Sequence, residues 1–283
     1  MRGAPQAAAV SEATNLLLDL EAHPVIAHRG ASAFAPENTL VGFERATAFG
    51  AEAFELDVHV TADDIPVVIH DPTLDRTTDR CGAVAAMPYE AFRDADAGAR
   101  FTSDRGATFP FKGRGVRVPT LADVLGMFPD TPCIVELKTP RAAPAVRRVV
   151  AAAGASARCI LASFDERALE PFDSPPWIRS ATRAETLSLV SRALVGRAPR
   201  PARYRALTIP TRFNGIPIPM RMLAGAARRV GCPTHVWVID SPELSLTLWG
   251  QGVCGVITNR PGAMLAAREA GRVAWHSGAN SKA

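Results

Sequence analysis

The chain has 283 residues, of which 47% are hydrophobic and 21% charged, a composition that suits one full apolar core and excludes a largely disordered protein. The five cysteines are odd in number and lack CxxC spacing, so they indicate neither a disulfide framework nor a zinc site. The net charge is only +4, no nucleic-acid-binding motif is present, and no run reaches the roughly 18 apolar residues of a membrane span, so neither nucleic-acid binding nor stable membrane insertion is expected.

Eight short apolar or β-branched runs alternate with helical stretches, which is the pattern of parallel strands joined by helices. The predicted strands are residues 24–28, 53–58, 133–138, 159–164, 178–183, 205–210, 235–240 and 255–259. Amphipathic or Ala-rich segments at 39–50, 120–128 and 219–231 are predicted helices. We therefore expect an α/β fold, a TIM-type (β/α)₈ barrel that forms one domain over residues 1–283.

Two regions do not fit this repeat, residues 59–71 and 81–118, and both are predicted to be additions at the C-terminal mouth of the barrel. Only residues 61–65 separate two extended runs, which is too short for a parallel crossover, so a hairpin is expected there with Asp63 and Asp64 in the turn. Pairing Thr61 with Pro66 would place His70 opposite Asp57. Residues 274–283 are predicted to be a flexible tail.

Residues 1–24 show no compact apolar run followed by a small-residue cleavage site, which favours a cytoplasmic location. The sequence does not predict an oligomeric state.

Acidic side chains alternate with apolar ones in two predicted strands. Glu55 and Asp57 lie two residues apart in AFELDV, so both point to one face, and Glu136 and Lys138 repeat the arrangement in CIVELK. With the apolar side chains facing the helices, these polar side chains converge inside the barrel. Three converging carboxylates suit a hard divalent cation, Mg²⁺ or Ca²⁺, although a structural ion-pair network would use the same residues.

Two histidines end predicted strands beside residues suited to binding anions. His28 precedes Arg29, and His70 precedes Asp71. Cleavage of a phosphodiester needs a general base and a general acid, which two imidazoles can supply, although a single strand-end histidine is more often structural. Arg29 can bind two phosphate oxygens, and Lys138 offers a compact inward-facing charge.

A polar turn precedes the first predicted helix. Asn38 or Thr39 can cap that helix, and Glu37 can reach the metal or hold a histidine. Glu37 is therefore a predicted pocket residue, together with Phe164 and Trp237 from two later strands. The histidines at positions 23, 59, 235 and 276 are interpreted as structural, although His59 continues the Glu55 and Asp57 face and could line the mouth.

Seven segments in order resemble the glycerophosphodiester phosphodiesterase family along nearly the whole chain, namely AHRGASAFAPENT, ELDVHVTADDIPVVIHDPTLDRTT, PTLADVL, VELK, LASF, VWVID and GVITNRP. The resemblance is to the small bacterial type. It implies a TIM-type barrel and hydrolysis of glycerophosphodiesters to glycerol 3-phosphate and an alcohol. The site residues that it implies are Glu55, Asp57 and Glu136 for a divalent metal, His28 and His70 for acid–base catalysis, and Arg29 and Lys138 for the phosphate.

The resemblance also implies that residues 81–118 are the family's small insertion over the mouth. The chain departs from the family pattern at a few positions. Cys254 replaces an Asp of the usual Gly-Val-Asp-Gly, Asn259 replaces an Asp after the last strand, and Val238 and Asp240 replace the Thr and Asn of a Trp-Thr-Val-Asn segment. Asp64 replaces the Gly of a hairpin Asp-Gly. None of these departures falls on a proposed metal or histidine position.

Two other functions remain open from the sequence. A lysophospholipase D-like or phosphoinositide-cleaving enzyme would need an apolar channel, which Phe101, Phe109 and Phe111 or residues 16–18 could line. The same residues suit a small core of the insertion and the face of an N-terminal helix. A non-catalytic phosphate-binding barrel would be favoured if a ligand or histidine were missing, and none is missing.

Overall fold

A computed structural model describes residues 15–197 and 203–279 of the chain. Its strands, in chain order, are β1 (Val25–His28), β2 (Ala53–Val60), β3 (Pro66–Val68), β4 (Cys133–Leu137), β5 (Cys159–Ala162), β6 (Ile178–Arg179), β7 (Leu207–Pro210), β8 (Arg212–Phe213), β9 (Ile216–Pro217), β10 (Thr234–Trp237) and β11 (Gly255–Thr258). Eight of these are parallel in the order β6-β5-β4-β2-β1-β11-β10-β7, and they coincide with the eight predicted strands.

One parallel bridge between Ser180 and Ala206 joins the two ends of this sheet, next to β6 and β7. The sheet thereby closes into the TIM-type barrel expected from the sequence. The short β8–β9 hairpin stands apart from the barrel sheet, after β7.

In the described part of the chain, seven α-helices connect or follow the strands: α1 (Leu40–Ala48), α2 (Leu121–Met127), α3 (Ala143–Ala152), α4 (Arg183–Leu194), α5 (Met220–Arg228), α6 (Pro242–Gly250) and α7 (Pro261–Ala279). The three predicted helices are confirmed as α1, α2 and α5. Thr39 caps α1 by accepting from the Gly42 N–H, and Thr120 caps α2 in a capping box with Asp123. Within residues 15–197 and 203–279, no helix is long and apolar enough to cross a membrane.

The predicted flexible tail, residues 274–283, falls partly on the last helix of the chain. Helix α7 continues through Ala279, so residues 274–279 are helical. The rest of that predicted tail, residues 280–283, and residues 1–14 lie outside the described residues.

The side chains inside the barrel form layers, because alternate residues of each strand point inward. Buried isoleucines from four strands, together with Leu17 from a short 3₁₀ helix, fill the interior towards the N-terminal ends of the strands. These isoleucines are Ile26, Ile134, Ile160 and Ile257. Two residues further along β1 and β4 the inward positions are His28 and Glu136. The polar site therefore lies on an apolar floor.

The outward face of β2 is apolar and packs under the helices. Phe54, Leu56 and Val58 are fully buried, and the Phe54 ring lies 5.0 Å from that of Phe43 in α1. Because these residues pack against α1 outside the sheet, the alternate residues Glu55 and Asp57 point into the barrel, as predicted.

The predicted hairpin is confirmed, but its predicted register is wrong by one residue. β3 runs antiparallel to β2 with Val60 opposite Pro66 and Val58 opposite Val68. The turn closes on Thr61 and Ile65, since Ile65 supplies an N–H that Pro66 lacks. Asp64 takes the left-handed conformation at φ 58°. Ile69, and not His70, therefore donates its N–H to the Asp57 carbonyl, at 3.0 Å.

The region from residue 69 to residue 119 has its own small apolar core at the C-terminal end of β2. Its centre is Phe92, which packs with Val67 and Ile69 of the hairpin and with Leu74, Val84, Val116 and Val118. The chain returns to the barrel where Val68 donates its N–H to the Pro119 carbonyl at 2.8 Å. Phe111 packs against this core and forms an edge-to-face pair with Phe101.

Candidate active site

A cavity of about 180 Å³ lies at the C-terminal ends of the barrel strands. One side of it is charged and is lined by His28, Arg29, Glu55, His70, Glu136 and Lys138. The other side is mostly apolar and is lined by Ile134, Ala162, Phe164, Trp237, Val238 and Ile257. The structure thus brings together every predicted catalytic and phosphate-binding residue in one cavity, with two of the three predicted metal ligands.

The third predicted metal ligand, Asp57, is almost fully buried and contacts two residues that line this cavity, Arg29 and Lys138. One oxygen of each of Glu55, Asp57 and Glu136 lies within 4.8 Å of the others. Asp57 and Glu136 face each other in register on β2 and β4. Strand pairing is therefore the reason that these carboxylates, far apart in sequence, meet at one point.

Two cations accompany the carboxylates. Lys138 Nζ lies 2.7 Å from Asp57 Oδ1 and 2.6 Å from Glu136 Oε1. Arg29 Nε lies 2.9 Å from Asp57 Oδ2. Burial raises the pKa of Asp57, but the charges of Arg29 and Lys138 outweigh that effect, and the pKa lies below its usual value. Asp57 is thus held ionised.

Glu55 is in a different environment from Asp57. Burial, and then the charges of Asp57 and Glu136, raise the pKa of Glu55 well above its usual value. Its Oε2 atom is buried and has no hydrogen-bond partner within the described residues. The pKa of Glu136 is also raised, chiefly by burial. A bound divalent cation would offset these costs, so the three carboxylates fit the hard-cation site expected from the sequence.

The turn after β1 aims Arg29 at Asp57. Arg29 has φ 57° and Gly30 has φ 84°, both in the left-handed region. A Cβ atom at Gly30 would lie 2.5 Å from the backbone of Gly42, so only glycine allows α1 to pack on this turn.

The loop before α1 supports the same group. Asn38 donates from Nδ2 to Asp57 Oδ2 at 2.8 Å, so this residue binds a carboxylate and does not cap the helix. Both oxygens of Glu37 accept from arginines: Oε1 from Arg29 at 3.0 Å and from Arg76 at 2.8 Å, and Oε2 from Arg76 at 2.8 Å. In this structure the Glu37 carboxylate binds arginines, and its predicted contact with the metal or with a histidine stays a prediction. Glu37 lines a neighbouring cavity of about 370 Å³.

His28 is held by a hydrogen bond at Nδ1. Its Nδ1 lies 2.7 Å from Asn259 Oδ1, and its Nε2 lies 3.9 Å from Glu55 Oε2. Burial and the charge of Arg29 lower the pKa of His28 below its usual value. The imidazole is therefore held neutral, with Nε2 at the carboxylate cluster.

His70 belongs to a second charged cluster. Its Nδ1 lies 2.6 Å from Asp71 Oδ1, and Arg76 binds Asp71 through Nε at 2.6 Å and through Nη2 at 3.0 Å. The hydrogen bond from Arg76 lowers the pKa of Asp71 far below its usual range. An ionised Asp71 only accepts hydrogen bonds, so His70 carries a proton on Nδ1. His59 Nε2 donates to the His70 carbonyl at 3.1 Å, which agrees with its interpretation as structural.

Phe164 and Trp237 form the mouth of the apolar side. Their rings make an edge-to-face contact with centroids 5.9 Å apart, and Phe164 is 74% exposed. The aromatic residues at positions 101, 109 and 111 do not line this cavity, and neither do residues 16–18. These residues therefore do not form an apolar channel into this cavity.

Four residues of the site escaped the sequence reasoning: Ser32, Arg76, Asp240 and Asn259. Arg76 stands in the HDPTLDRTT segment, so the resemblance offered a signal for it. In the sequence Asn259 is only a departure from the family pattern, because its contact with His28 spans 231 positions of the chain.

The comparisons with known proteins agree with this geometry. A family model described as the glycerophosphoryl diester phosphodiesterase family matches residues 28–263. A glycerophosphodiester phosphodiesterase from Caldanaerobacter subterraneus is 32% identical over 245 residues, covering 84% of this chain and 94% of that protein. The putative enzyme YhdW from Bacillus subtilis is 31% identical with the same coverage of both chains.

Solved structures share the fold. A glycerophosphodiester phosphodiesterase from Agrobacterium tumefaciens superimposes with a TM-score of 0.67 at 30% identity, over 86% of this chain and 99% of the other. A phosphodiesterase from Oleispira antarctica, solved in complex with the product sn-glycerol-3-phosphate, gives a TM-score of 0.68 at 24% identity, over 87% and 96% of the two chains. With the family match over most of its length and the charged cavity at the barrel mouth, the chain belongs to the glycerophosphoryl diester phosphodiesterase family.

Proposed function

We propose that this protein hydrolyses glycerophosphodiesters to glycerol 3-phosphate and an alcohol, with one divalent cation and two histidines as the acid–base pair. The observation that carries the proposal is the meeting of two imidazoles, two cationic side chains and a carboxylate cluster around one cavity. Family membership supports the choice of reaction. The same observation argues against a non-catalytic phosphate-binding barrel, which would need neither the imidazoles nor the carboxylates.

Glu55, Asp57 and Glu136 would hold the cation, which we expect to be Mg²⁺ or Ca²⁺ because all three offer oxygen ligands. When bound, the cation supplies Lewis-acid polarisation of a phosphate oxygen. The buried and unpartnered Glu55 Oε2 is the atom that most needs such a ligand.

Arg29 and Lys138 would bind the remaining phosphate oxygens. Both line the cavity, and both are already oriented by carboxylates, Arg29 by Glu37 and Lys138 by Glu136. Charge-assisted hydrogen bonds from such fixed donors strengthen as charge develops on the phosphate in the transition state.

We assign His28 as the general base and His70 as the general acid. The lowered pKa of His28 keeps a free electron pair available to take the proton of the attacking hydroxyl or water. The paired Asp71 orients His70 through Nδ1, and the other ring nitrogen can give a proton to the leaving alcohol. The tests of these two roles are independent, because the two imidazoles are held by different partners.

The apolar side of the cavity suits the carbon atoms of a glycerol group, and its aromatic residues, Phe164 and Trp237, are one edge-to-face pair and do not form a closed cage for choline. We therefore expect weak discrimination among leaving alcohols. The exposed Phe164 and the partly exposed Val238 also favour a second candidate substrate, a lysophospholipid whose acyl chain would lie across this apolar rim. The replacement Phe164→Ser should then weaken turnover of a lysophospholipid more than turnover of glycerophosphocholine.

The test is an assay of the purified protein on glycerophosphocholine, glycerophosphoethanolamine and a lysophospholipid, each with Mg²⁺, Ca²⁺ or EDTA. We expect no turnover in EDTA and restoration by added metal. Glu55→Gln should lose metal binding in calorimetry, whereas His28→Ala and His70→Ala should keep it while kcat falls by about 10²–10⁴. His23→Gln, before the start of β1 at the other end of the barrel, is the control and should keep the parental rate. Full turnover after exhaustive dialysis against EDTA would exclude the metal mechanism.

A further inference from the structure

The side chain of Asn259 joins His28 to a carboxylate that does not itself touch the imidazole. Asn259 follows β11, and Asp240 lies three residues beyond the end of β10, the neighbouring strand. Asn259 Oδ1 lies 2.7 Å from His28 Nδ1, and Asn259 Nδ2 donates to Asp240 Oδ2 at 2.7 Å. The three side chains form one line of hydrogen bonds that ends at the cavity.

Asp240 determines which way the Asn259 amide points. Its Oδ1 accepts from Thr258 Oγ1 at 2.9 Å and from the Asn259 N–H at 2.8 Å, so the carboxylate is fixed in place. A carboxylate can only accept, and it therefore requires the NH₂ group of the Asn259 amide on its side. The amide oxygen is left facing His28, where Ser32 Oγ also donates to it at 2.6 Å.

The orientation of the amide in turn determines the tautomer of His28. An amide oxygen only accepts, so Nδ1 must carry the imidazole proton and Nε2 keeps its electron pair. Nε2 is the nitrogen that lies 3.9 Å from Glu55, on the side of the cavity. If the amide were reversed, its N–H would face Nδ1, and the proton would move to Nε2.

We propose that Asp240 and Asn259 are positioning residues that hold His28 in the Nδ1–H tautomer, so that Nε2 faces the cavity as a free base. The inference deepens the proposed function, on which its kinetic consequence rests. Neither residue touches the cavity side of the imidazole, and both act through the amide bond to Nδ1.

The replacement Asp240→Asn tests whether Asp240 sets the orientation of the Asn259 amide. An asparagine at 240 can still accept from Thr258 and from the Asn259 N–H, so the backbone should keep its conformation. Its NH₂ group would then face the NH₂ group of Asn259, and the Asn259 amide should reverse. We expect two-bond ¹⁵N–¹H spectra to show His28 as the Nδ1–H tautomer in the parent and as the Nε2–H tautomer in this variant, with the signal assigned by loss in His28→Gln.

The kinetic expectation for Asp240→Asn is a fall in kcat on glycerophosphocholine of about 10²-fold with KM unchanged, because a wrong imidazole tautomer disables a base without removing it. The exchanged double variant, Asp240→Asn with Asn259→Asp, should recover both properties. Asp at position 259 accepts from His28 and from the amide at 240, so the same line of hydrogen bonds is rebuilt with its ends reversed. Asn259→Asp alone, which sets two carboxylates side by side, should lower the melting temperature while leaving the His28 tautomer as Nδ1–H.

An unchanged His28 tautomer in Asp240→Asn, or a double variant no more active than its single parents, would overturn the inference. The tautomer is read from protein without substrate, so it stays measurable even if no glycerophosphodiester is turned over. Absence of turnover in the parent would thus contradict the proposed function, and the spectra would still decide whether Asp240 and Asn259 set the tautomer of His28.

Discussion

Lys138 Nζ lies 2.7 Å from Asp57 Oδ1, across the pairing of β2 with β4, and a further 2.6 Å contact joins the same ammonium to Glu136. The pKa of Lys138 is lowered by burial but raised more strongly by these two carboxylates, so it lies above its usual value. One protein cation therefore partly neutralises the cluster that we expect to bind a metal.

Replacing Lys138 by Met should make the stability of the protein depend on added metal. Loss of the ammonium leaves buried carboxylates uncompensated, and we expect the free energy of unfolding in EDTA to fall by about 3 kcal/mol, the usual cost of breaking a buried pair. Saturating Ca²⁺ or Mg²⁺ should restore more stability to this variant than to the parent. Urea unfolding with and without metal measures both quantities.

The control for that prediction is Lys112→Met, which removes an exposed lysine from the insertion. It should unfold as the parent does under both conditions. Equal stability of Lys138→Met and the parent in EDTA would show that the ion pairs contribute nothing.

Replacing Arg76 by Ala should lower kcat by about tenfold or more. Without Arg76, Asp71 loses the partner that keeps it beside His70. Glu37 also loses one of its two arginines. Arg76 is itself not among the residues that line the cavity, so substrate affinity should change less than kcat. Steady-state kinetics on glycerophosphocholine measure the two effects. The control is Arg80→Ala, because among the described residues the Arg80 side chain donates only to the backbone carbonyl of Ala91. This variant should behave as the parent does. A similar loss of kcat in both variants would mean that the loop carrying residues 76 and 80 as a whole has been disturbed.

The fold could be predicted from the sequence because each strand and each early helix carries a local signal. Period-two alternation placed Glu55, Asp57 and Glu136 on the inner face, and the structure confirms that placement. The predicted register of the hairpin is wrong by one residue. The turn closes through a backbone N–H, which Pro66 does not have. Residue spacing alone does not show which N–H closes a turn.

The contacts around His28 could not be predicted in the same way. Asp240 and Asn259 appeared in the sequence as two separate departures from a family pattern, and the structure shows that they are bonded to each other. Strands β10 and β11 are neighbours only because the barrel closes in this order. A hydrogen bond between their C-terminal ends is a property of the tertiary fold, which no local pattern encodes.

The acid side of the pH profile should be governed by His28. Burial and Arg29 lower the pKa of His28 below its ordinary value of 6.5, and the base must be neutral to act, so kcat/KM should fall only as the pH drops below 6.5. In the exchanged variant with Asn at 240 and Asp at 259, a carboxylate contacts the imidazole directly and should raise its pKa. The fall of kcat/KM on the acid side should then begin at a higher pH than in the parent. Profiles of kcat/KM for both proteins between pH 4.5 and about 9 test the expectation. If kcat/KM falls at the same pH on the acid side in both, the titration belongs to another group.

A second histidine should make folding sensitive to acid. His235 is fully buried on β10 and bonds to the Leu17 carbonyl through Nε2 at 2.9 Å, and burial lowers its pKa to about 4. Between pH 6.5 and about 4 the unfolded chain binds a proton there and the native protein does not, so stability falls as the pH falls through this window. The effect should approach about 3 kcal/mol at the lower limit.

The replacement His235→Gln keeps an N–H for Leu17 but cannot titrate. Its free energy of unfolding should therefore change less than that of the parent over the same window, as measured by urea unfolding at several pH values. If the difference between parent and variant is the same at pH 7 and pH 4.5, the buried imidazole is not the source of the acid sensitivity.

The closure of the barrel is uneven. β6 has two residues and meets β7 through the single bridge of Ser180 with Ala206, whereas β2 and β4 share five residue pairs. In the circular order of strands, β2 and β1 lie half a turn away from that bridge. Amide hydrogens beside the bridge should consequently exchange with solvent by local opening, while those of β2 exchange only on global unfolding. We therefore expect the barrel to open locally on the side opposite its charged cluster. The carboxylates, the lysine and His28 would stay assembled during such opening.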